Sequence, residues 1–416
     1  MTYKKYQCMA PFVQLMMDTQ GNHSPCAVLD GIWHKKNDVW NHEALQKLRD
    51  NHAKGIRDAT CDSCWVNEET GIESYRQRYH SSNKFDKEAV LQSIEDGSYK
   101  QGPTALYLKN GNICNLQCRI CGPKDSFSWA PEANSLAQQH DTQGTLMAPR
   151  ITKHNWTAEQ LENMLYWNKK LNRVDLFGGE ALTNTKVLDY LQFLVDEGVS
   201  KDITVYFNTN ATRTPNEAWW SVMKQFKALE FELSLDGVEQ QFEYQRYPAK
   251  WKDVLSFRKW LSDKSKLMPI TYGIIVTVNI LNIWYLHETL SKLIAYKKME
   301  VYKNYPQYLT DSRIFKRILD TDDAIFFNHV SYPAHYNIQN MPESIKHQVD
   351  YKLSNSRYAE QFEEIKRYMW LEQDMPNEWQ KFLQWTERHD AYRKQKFSDT
   401  FSEFNDMIYN GSKVPV

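Results

Sequence analysis

The rhythm of apolar and polar positions changes near residue 104. From there, short apolar runs at 104–108, 173–177, 203–207, 231–235, 270–278 and 324–330 recur along the chain. Their length and their content of β-branched and aromatic residues predict strands. Between them, 188–195, 219–226, 254–261 and 285–295 repeat apolar residues at helical intervals. Strand and helix in alternation predict parallel strands joined by crossover helices. Six such units point to an α/β fold, a partial (β/α)6 barrel of the TIM-like kind. In such barrels the working residues sit in the loops that follow the strands.

The flanks read differently. Before residue 100, Trp40, Leu45 and Leu48 carry helical spacing. Gly21-Asn22-His23-Ser24-Pro25 reads as a turn that brings a hairpin-like strand back towards Cys26, with His23 expected at the surface. After residue 300, Tyr358, Phe362, Ile365 and Met369 share one helical face, and Trp379, Phe382 and Leu383 suggest a second, both expected to pack on the barrel. Three parts result: a small cysteine-bearing domain at 1–100, the barrel at 101–300, and the last barrel strand with a helical C-terminal extension at 301–416.

Charge narrows the function classes. With 51 basic and 52 acidic residues among 416, the net charge of −1 offers no field for nucleic acid or an anionic membrane. No run of about 18 apolar residues suggests a membrane span, and no basic-then-apolar start suggests a secretory signal, so a cytoplasmic location is expected. The seven cysteines all lie between Cys8 and Cys121. An odd, clustered set in a reducing compartment reads as metal ligation rather than a disulfide scaffold.

The chemistry collects at strand ends. Cys114-Asn115-Leu116-Gln117-Cys118-Arg119-Ile120-Cys121 follows the first barrel strand. Three thiolates at this spacing suit an iron–sulfur cubane, which has four irons, so one iron stays open to a small molecule. Gly178-Gly179-Glu180 follows the second strand, where the glycines let a ligand approach the backbone. Asn208 and Asn210 follow the third strand, and Ser234 and Asp236 end the fourth. Arg246 offers a bidentate grip on a carboxylate. Singly, each of these is as well explained by a turn or a solvated side chain; their shared position at one end of four strands is what gives them weight. The remaining cysteines, Cys8, Cys26, Cys61 and Cys64, make a complete four-thiolate set that suits either structural zinc or a fully ligated cluster.

With these residues in view, the chain resembles the radical SAM superfamily. The C-x3-C-x2-C loop after the first strand and Gly-Gly-Glu after the second carry the resemblance. Cys8, Gly21, Cys26, Trp40 and the Cys61/Cys64 pair resemble its twitch or SPASM auxiliary-cluster extension, here placed ahead of the barrel as in a group of bacterial and phage-type sequences. The resemblance implies a SAM-binding [4Fe–4S] cluster on Cys114, Cys118 and Cys121, and an auxiliary [4Fe–4S] cluster on Cys8, Cys26, Cys61 and Cys64. It implies that Gly178, Gly179 and Glu180 bind the methionine amine of S-adenosyl-L-methionine. Ser234 and Arg246 would engage its ribose and carboxylate region, with Asn208, Asn210 and Asp236 beside them. Ile120 departs from the pattern, because an aromatic residue usually precedes the last cysteine and packs near the adenine.

The implied activity is reductive cleavage of SAM and hydrogen abstraction from a substrate, with the auxiliary cluster carrying an electron. The implied partners are a peptide or protein substrate, or else a small metabolite, and an electron donor such as flavodoxin or ferredoxin. The pattern identifies no catalytic acid or base: Asp236 and His329 are guesses, and Asn328 with His329 ends a strand that faces the substrate in this reading. The reading from another class is a non-catalytic zinc-binding interaction protein.

Overall fold

The computed structural model describes residues 4–18, 21–26, 28–29, 39–81, 85–140, 152–157, 160, 164, 167, 170–297, 325–371, 375 and 377–410. It is a mixed α/β fold built on one sheet of eight strands in the order β2-β1-β3-β4-β5-β6-β7-β8. The strands are β1 (Gln14–Met17), β2 (His23–Ser24), β3 (Ala105–Lys109), β4 (Arg173–Phe177), β5 (Thr204–Thr209), β6 (Ala228–Ser234), β7 (Ile270–Val278) and β8 (Ile325–His329). From β1 to β8 every neighbouring pair is parallel, apart from the β1–β2 hairpin. The six predicted barrel strands are all present, as the partial barrel requires. Position 324 of the last predicted strand lies outside the described residues.

Three features of the sheet depart from expectation. β1 pairs in parallel with β3, so the N-terminal segment extends the barrel's own sheet. β2 lies antiparallel on β1, as the turn at Gly21 predicts, but this tucks His23 inside at 5% exposure instead of leaving it on the surface. β6 also begins at Ala228, ahead of the predicted run at 231, because Glu230 and Glu232 interrupt its hydrophobicity while keeping its period-two alternation.

The sheet separates two environments. Leu106, Val174, Leu176, Val205, Phe207 and Phe231 face the surrounding helices and are almost wholly buried. On the inner face, Tyr107, Asp175, Tyr206 and Glu230 lie side by side across four strands. Arg173 pairs with both acids of this row, reaching Asp175 at 2.6 Å and Glu230 at 2.7 Å. Tyr79, from the Tyr75–Ser81 helix, stacks on Phe85 and meets Tyr107, so N-terminal aromatics close part of the inner side. In the C-terminal extension, Phe362, Ile365 and Met369 are buried as the helical spacing predicts.

His329 belongs to the outer layer. It pairs with Val278 in register, its ring stacks 4.1 Å from Tyr368, and burial pushes its pKa down to about 3. Asn328, one residue earlier, is exposed on the opposite face, so the two do not point the same way and His329 does not face the interior.

Candidate active site

The three-cysteine loop leaves β3 and is tied down on both flanks. The Gln117 N–H donates to the Tyr247 carbonyl at 2.6 Å, and the Arg119 N–H to the Gln245 carbonyl at 2.8 Å. Ser126 Oγ donates to the Leu116 carbonyl and Ser128 Oγ to the Cys114 carbonyl. These bonds satisfy backbone groups that a loop without secondary structure leaves open. Ile120 is half-buried against the main core.

Burial raises all three thiols, and a neighbouring thiol's charge adds to the rise at Cys114 and Cys121. Burial and then the Cys118 charge push the Cys114 thiol up to about 12. Burial and the charges of Cys118 and Cys114 raise Cys121. Burial also raises Cys118, but the Arg246 guanidinium opposes it, with Nη1 3.9 Å from Cys118 Sγ. Three buried thiols that disfavour joint ionisation are relieved by a cationic centre among them. The chemistry of the donor set, three buried thiols, therefore suits a cationic iron–sulfur centre.

Gly178 and Gly179 adopt left-handed φ of 78° and 51° at the end of β4. A Cβ at Gly179 would lie 2.3 Å from the Ile113 carbonyl oxygen, so only glycine lets this turn press against the residue preceding Cys114. The Glu180 N–H donates to that same carbonyl at 2.8 Å. The two loops are thereby joined directly.

Glu180 is fully buried and its carboxylate is already engaged. Oε1 accepts from Thr209 Oγ1 at 2.9 Å and from the Leu182 N–H at 3.3 Å, while Oε2 accepts from the Asn210 N–H at 2.8 Å. Burial raises its pKa and these donors oppose the rise. Glu180 thus ties the turn after β4 to the loop after β5. Asn210 extends the link, its Nδ2 donating to Asn115 Oδ1 at 3.1 Å and lying 3.9 Å from Cys114 Sγ. Asn208 points elsewhere, donating to Glu232 Oε2 at 3.3 Å on the inner face.

Asp236 and Arg246 meet each other. Their ion pair is 2.7 Å long, with Asp236 wholly buried and its Oδ1 accepting the Thr277 N–H at 2.9 Å. Leaving either partner of such a buried pair alone costs about 3–5 kcal/mol. Ser234 ends β6 half-buried. The structure therefore gathers Gly179, Glu180, Asn210 and the Asp236–Arg246 pair around the three-cysteine loop, and leaves Asn208 on the inner wall. Sequence reasoning missed Ile113, Asn115, Thr209 and Thr212, the last accepting from Asn115 Nδ2 at 2.9 Å, and their signal is only adjacency to the motifs.

The four N-terminal cysteines line one cavity with Pro25, His52, Tyr75 and Arg76. Cys61 and Cys64 open the Asp62–Glu69 helix, and Cys8 lies just ahead of the Ala10–Val13 helix. Burial pushes Cys26 up to about 11 and Cys61 up to about 12, and each of these thiols also feels a neighbour's charge. His52 Nε2 stands 3.6 Å from Cys61 Sγ, a contact the sequence does not announce. Among the described residues, no three His, Cys, Asp or Glu side chains are arranged to hold a single metal ion.

Residues 110–293 match the family model described as the Radical SAM superfamily. The radical SAM cyclopropyl synthase TigE of Paramaledivibacter caminithermalis is 28% identical over 123 residues, which span 30% of this chain and 23% of that protein. Among solved structures, native anSMEcpe with bound AdoMet shares 16% identity over 75% of this chain and 68% of its own, with a TM-score of 0.40. Streptococcus suis SuiB bound to precursor peptide SuiA shares 14% identity over 59% of this chain and 52% of its own, with a TM-score of 0.33. The matched stretch begins ahead of the three-cysteine loop and runs past the Asp236–Arg246 pair, so residues 110–293 of this chain form a radical SAM domain.

Proposed function

We propose that Cys114, Cys118 and Cys121 hold a [4Fe–4S] cluster whose open iron binds S-adenosyl-L-methionine, and that the enzyme abstracts a hydrogen atom to oxidise or otherwise modify a peptide or protein side chain. When bound, cluster and cofactor supply reductive cleavage of the sulfonium to a 5′-deoxyadenosyl radical. The observation that carries the reading is the direct junction of the two motifs: Glu180 N–H to Ile113 carbonyl, one residue before Cys114, across a contact only Gly179 permits.

The chain's own residues have separable tasks in this reading. The backbone at Gly178 and Gly179 makes room for the cofactor's amino-acid end. Glu180 holds the loops after β4 and β5 together and lends its charge to an ammonium group. Arg246, anchored by Asp236, presents positive charge beside Cys118, and Ser234 and Asn210 supply hydrogen-bonding groups at the same strand ends. The inner face carries Asn208, Glu232 and Thr277, polar groups suited to a peptide's amides and side chains.

The remaining assignments complete the picture. Cys8, Cys26, Cys61 and Cys64 would hold an auxiliary [4Fe–4S] cluster, which would supply a site for taking up an electron from the substrate, and a flavodoxin- or ferredoxin-like protein would be the electron donor. Residues 1–100 serve the auxiliary site, 101–300 the barrel chemistry, and 301–416 supply the last strand and a helical extension. All seven cysteines are free, as suits a reducing cytoplasm, and among the described residues no helix is long and apolar enough to cross a membrane.

Metal analysis after anaerobic purification tests the auxiliary site. About eight irons and eight sulfides per chain are expected, four for each cubane. About four irons with one zinc would overturn the auxiliary cluster while leaving the catalytic one.

A further inference from the structure

The stretch from Glu378 to Gln395 contributes charge to the three-cysteine site from the far end of the chain. Arg119, between Cys118 and Cys121, has a side chain with no exposure and pairs with Asp390 Oδ1 at 2.6 Å. Its guanidinium also donates to Gln395 Oε1 at 3.1 Å and to the Tyr244 carbonyl at 3.2 Å, and lies 3.8 Å from the centre of the Tyr244 ring. The Tyr244 hydroxyl donates to the same Asp390 oxygen at 2.7 Å. Nearer the end of the Glu378–Arg393 helix, Arg393 Nε donates to both oxygens of Glu132 at 3.0 Å, and His389 Nδ1 sits 2.6 Å from Glu132 Oε1. Arg393 also lies over Trp129 and over Tyr247, whose carbonyl accepts the Gln117 N–H of the loop.

Apolar contacts alone pack a helix at less cost than buried ion pairs, which are retained where they fix one arrangement. Here two pairs converge on one loop, one through Arg119 within it and one through Arg393, which lies over Tyr247 where that residue holds Gln117. We propose that the Glu378–Arg393 helix is a latch on the three-cysteine loop, in which Asp390 and Arg393 are positioning residues that hold the loop's flank and set the electrostatic field at its cluster. This rests on the assignment of a cluster to Cys114, Cys118 and Cys121.

A cluster's potential follows the charges around it, which gives the test a sign. Full-length protein is reconstituted anaerobically, and the midpoint potential of the cluster whose EPR signal changes on adding SAM is titrated. Asp390→Asn removes a negative charge and is expected to shift the potential upward. Arg393→Gln removes a positive one and is expected to shift it downward, and Asp390→Glu is expected to restore the wild-type value. If Arg393→Gln does not fold, the sign of the Asp390→Asn shift decides alone, an upward shift supporting the latch and a downward shift or none overturning it. A purely structural role moves the Asp390 and Arg393 variants the same way or not at all, and that result in folded protein overturns the latch alone. A wild-type protein that loads no iron on this loop overturns the parent assignment and the latch with it.

Discussion

Cys118→Ala protein, purified anaerobically, is expected to carry about four irons per chain in place of about eight and to form no 5′-deoxyadenosine from SAM. The loss is expected to be chemical rather than structural. Cys118 is 9% exposed, and its removal deletes one sulfur from a loop whose backbone is fixed by bonds to Gln245 and Tyr247 that the substitution leaves in place. The fold should therefore survive, with a thermal melt close to that of the wild type. Cys61→Ala provides the contrast: it empties the N-terminal site, at the start of the Asp62–Glu69 helix, while the three-cysteine loop keeps its ligands and SAM is still cleaved. Equal iron content in Cys118→Ala and wild type would overturn the ligand assignment. Iron, sulfide and nucleoside quantification on the same samples reads both outcomes.

Gly179→Ala is expected to slow SAM cleavage by about 10²-fold, the cost of an ångström-scale misplacement of reacting groups. Two effects combine. At φ of 51° a side chain is strained by about 1–3 kcal/mol. In addition, the new Cβ would meet the Ile113 carbonyl oxygen at 2.3 Å, so Ile113 has to move. That movement breaks the 2.8 Å bond from the Glu180 N–H and shifts the residue that leads directly into Cys114. Gly198→Ala is the control, since Gly198 has a φ of 73° but nothing within 4 Å of its added Cβ. It should lower stability by a comparable backbone strain without affecting cleavage. If both variants cleave SAM at the wild-type rate, the junction between the two loops has no role in catalysis.

The barrel and its cysteine motif are legible in the sequence because they are local. Each strand is a short apolar run, and the chemistry sits immediately after it. What was hidden depends on contacts between distant segments. The parallel pairing of β1 with β3 joins segments separated by some ninety residues, and no local pattern in Gln14–Met17 announces it. His23 looked like a turn residue at the surface, yet the hairpin it belongs to is pressed into the structure. The early part of β6 was masked by Glu230 and Glu232, acids that suit the polar inner face but not a hydrophobicity reading. Likewise His329 sits next to Asn328 in sequence, and only the strand's alternation sends it outward to Tyr368.

The site divides in the same way. Spacing and strand position single out Cys114, Cys118, Cys121, Gly178, Gly179 and Glu180 in the sequence, and the fold brings the two motifs into contact. Their partners were not legible there. Asp236 and Arg246 both looked like free ligand-binding groups, whereas folding sets one to anchor the other. Glu180 likewise turned out to bridge three donors within the protein. Arg119 and Asp390 are 271 positions apart, and nothing near Asp390 marks it as a neighbour of the cysteine loop.

The most direct test of the central claim is whether this chain cleaves SAM. Anaerobically reconstituted wild-type protein, reduced with dithionite and given SAM, is expected to form 5′-deoxyadenosine, and Cys118→Ala treated identically is expected to form none. Fully iron-loaded wild-type protein that forms no 5′-deoxyadenosine, or forms no more than Cys118→Ala, would contradict the account.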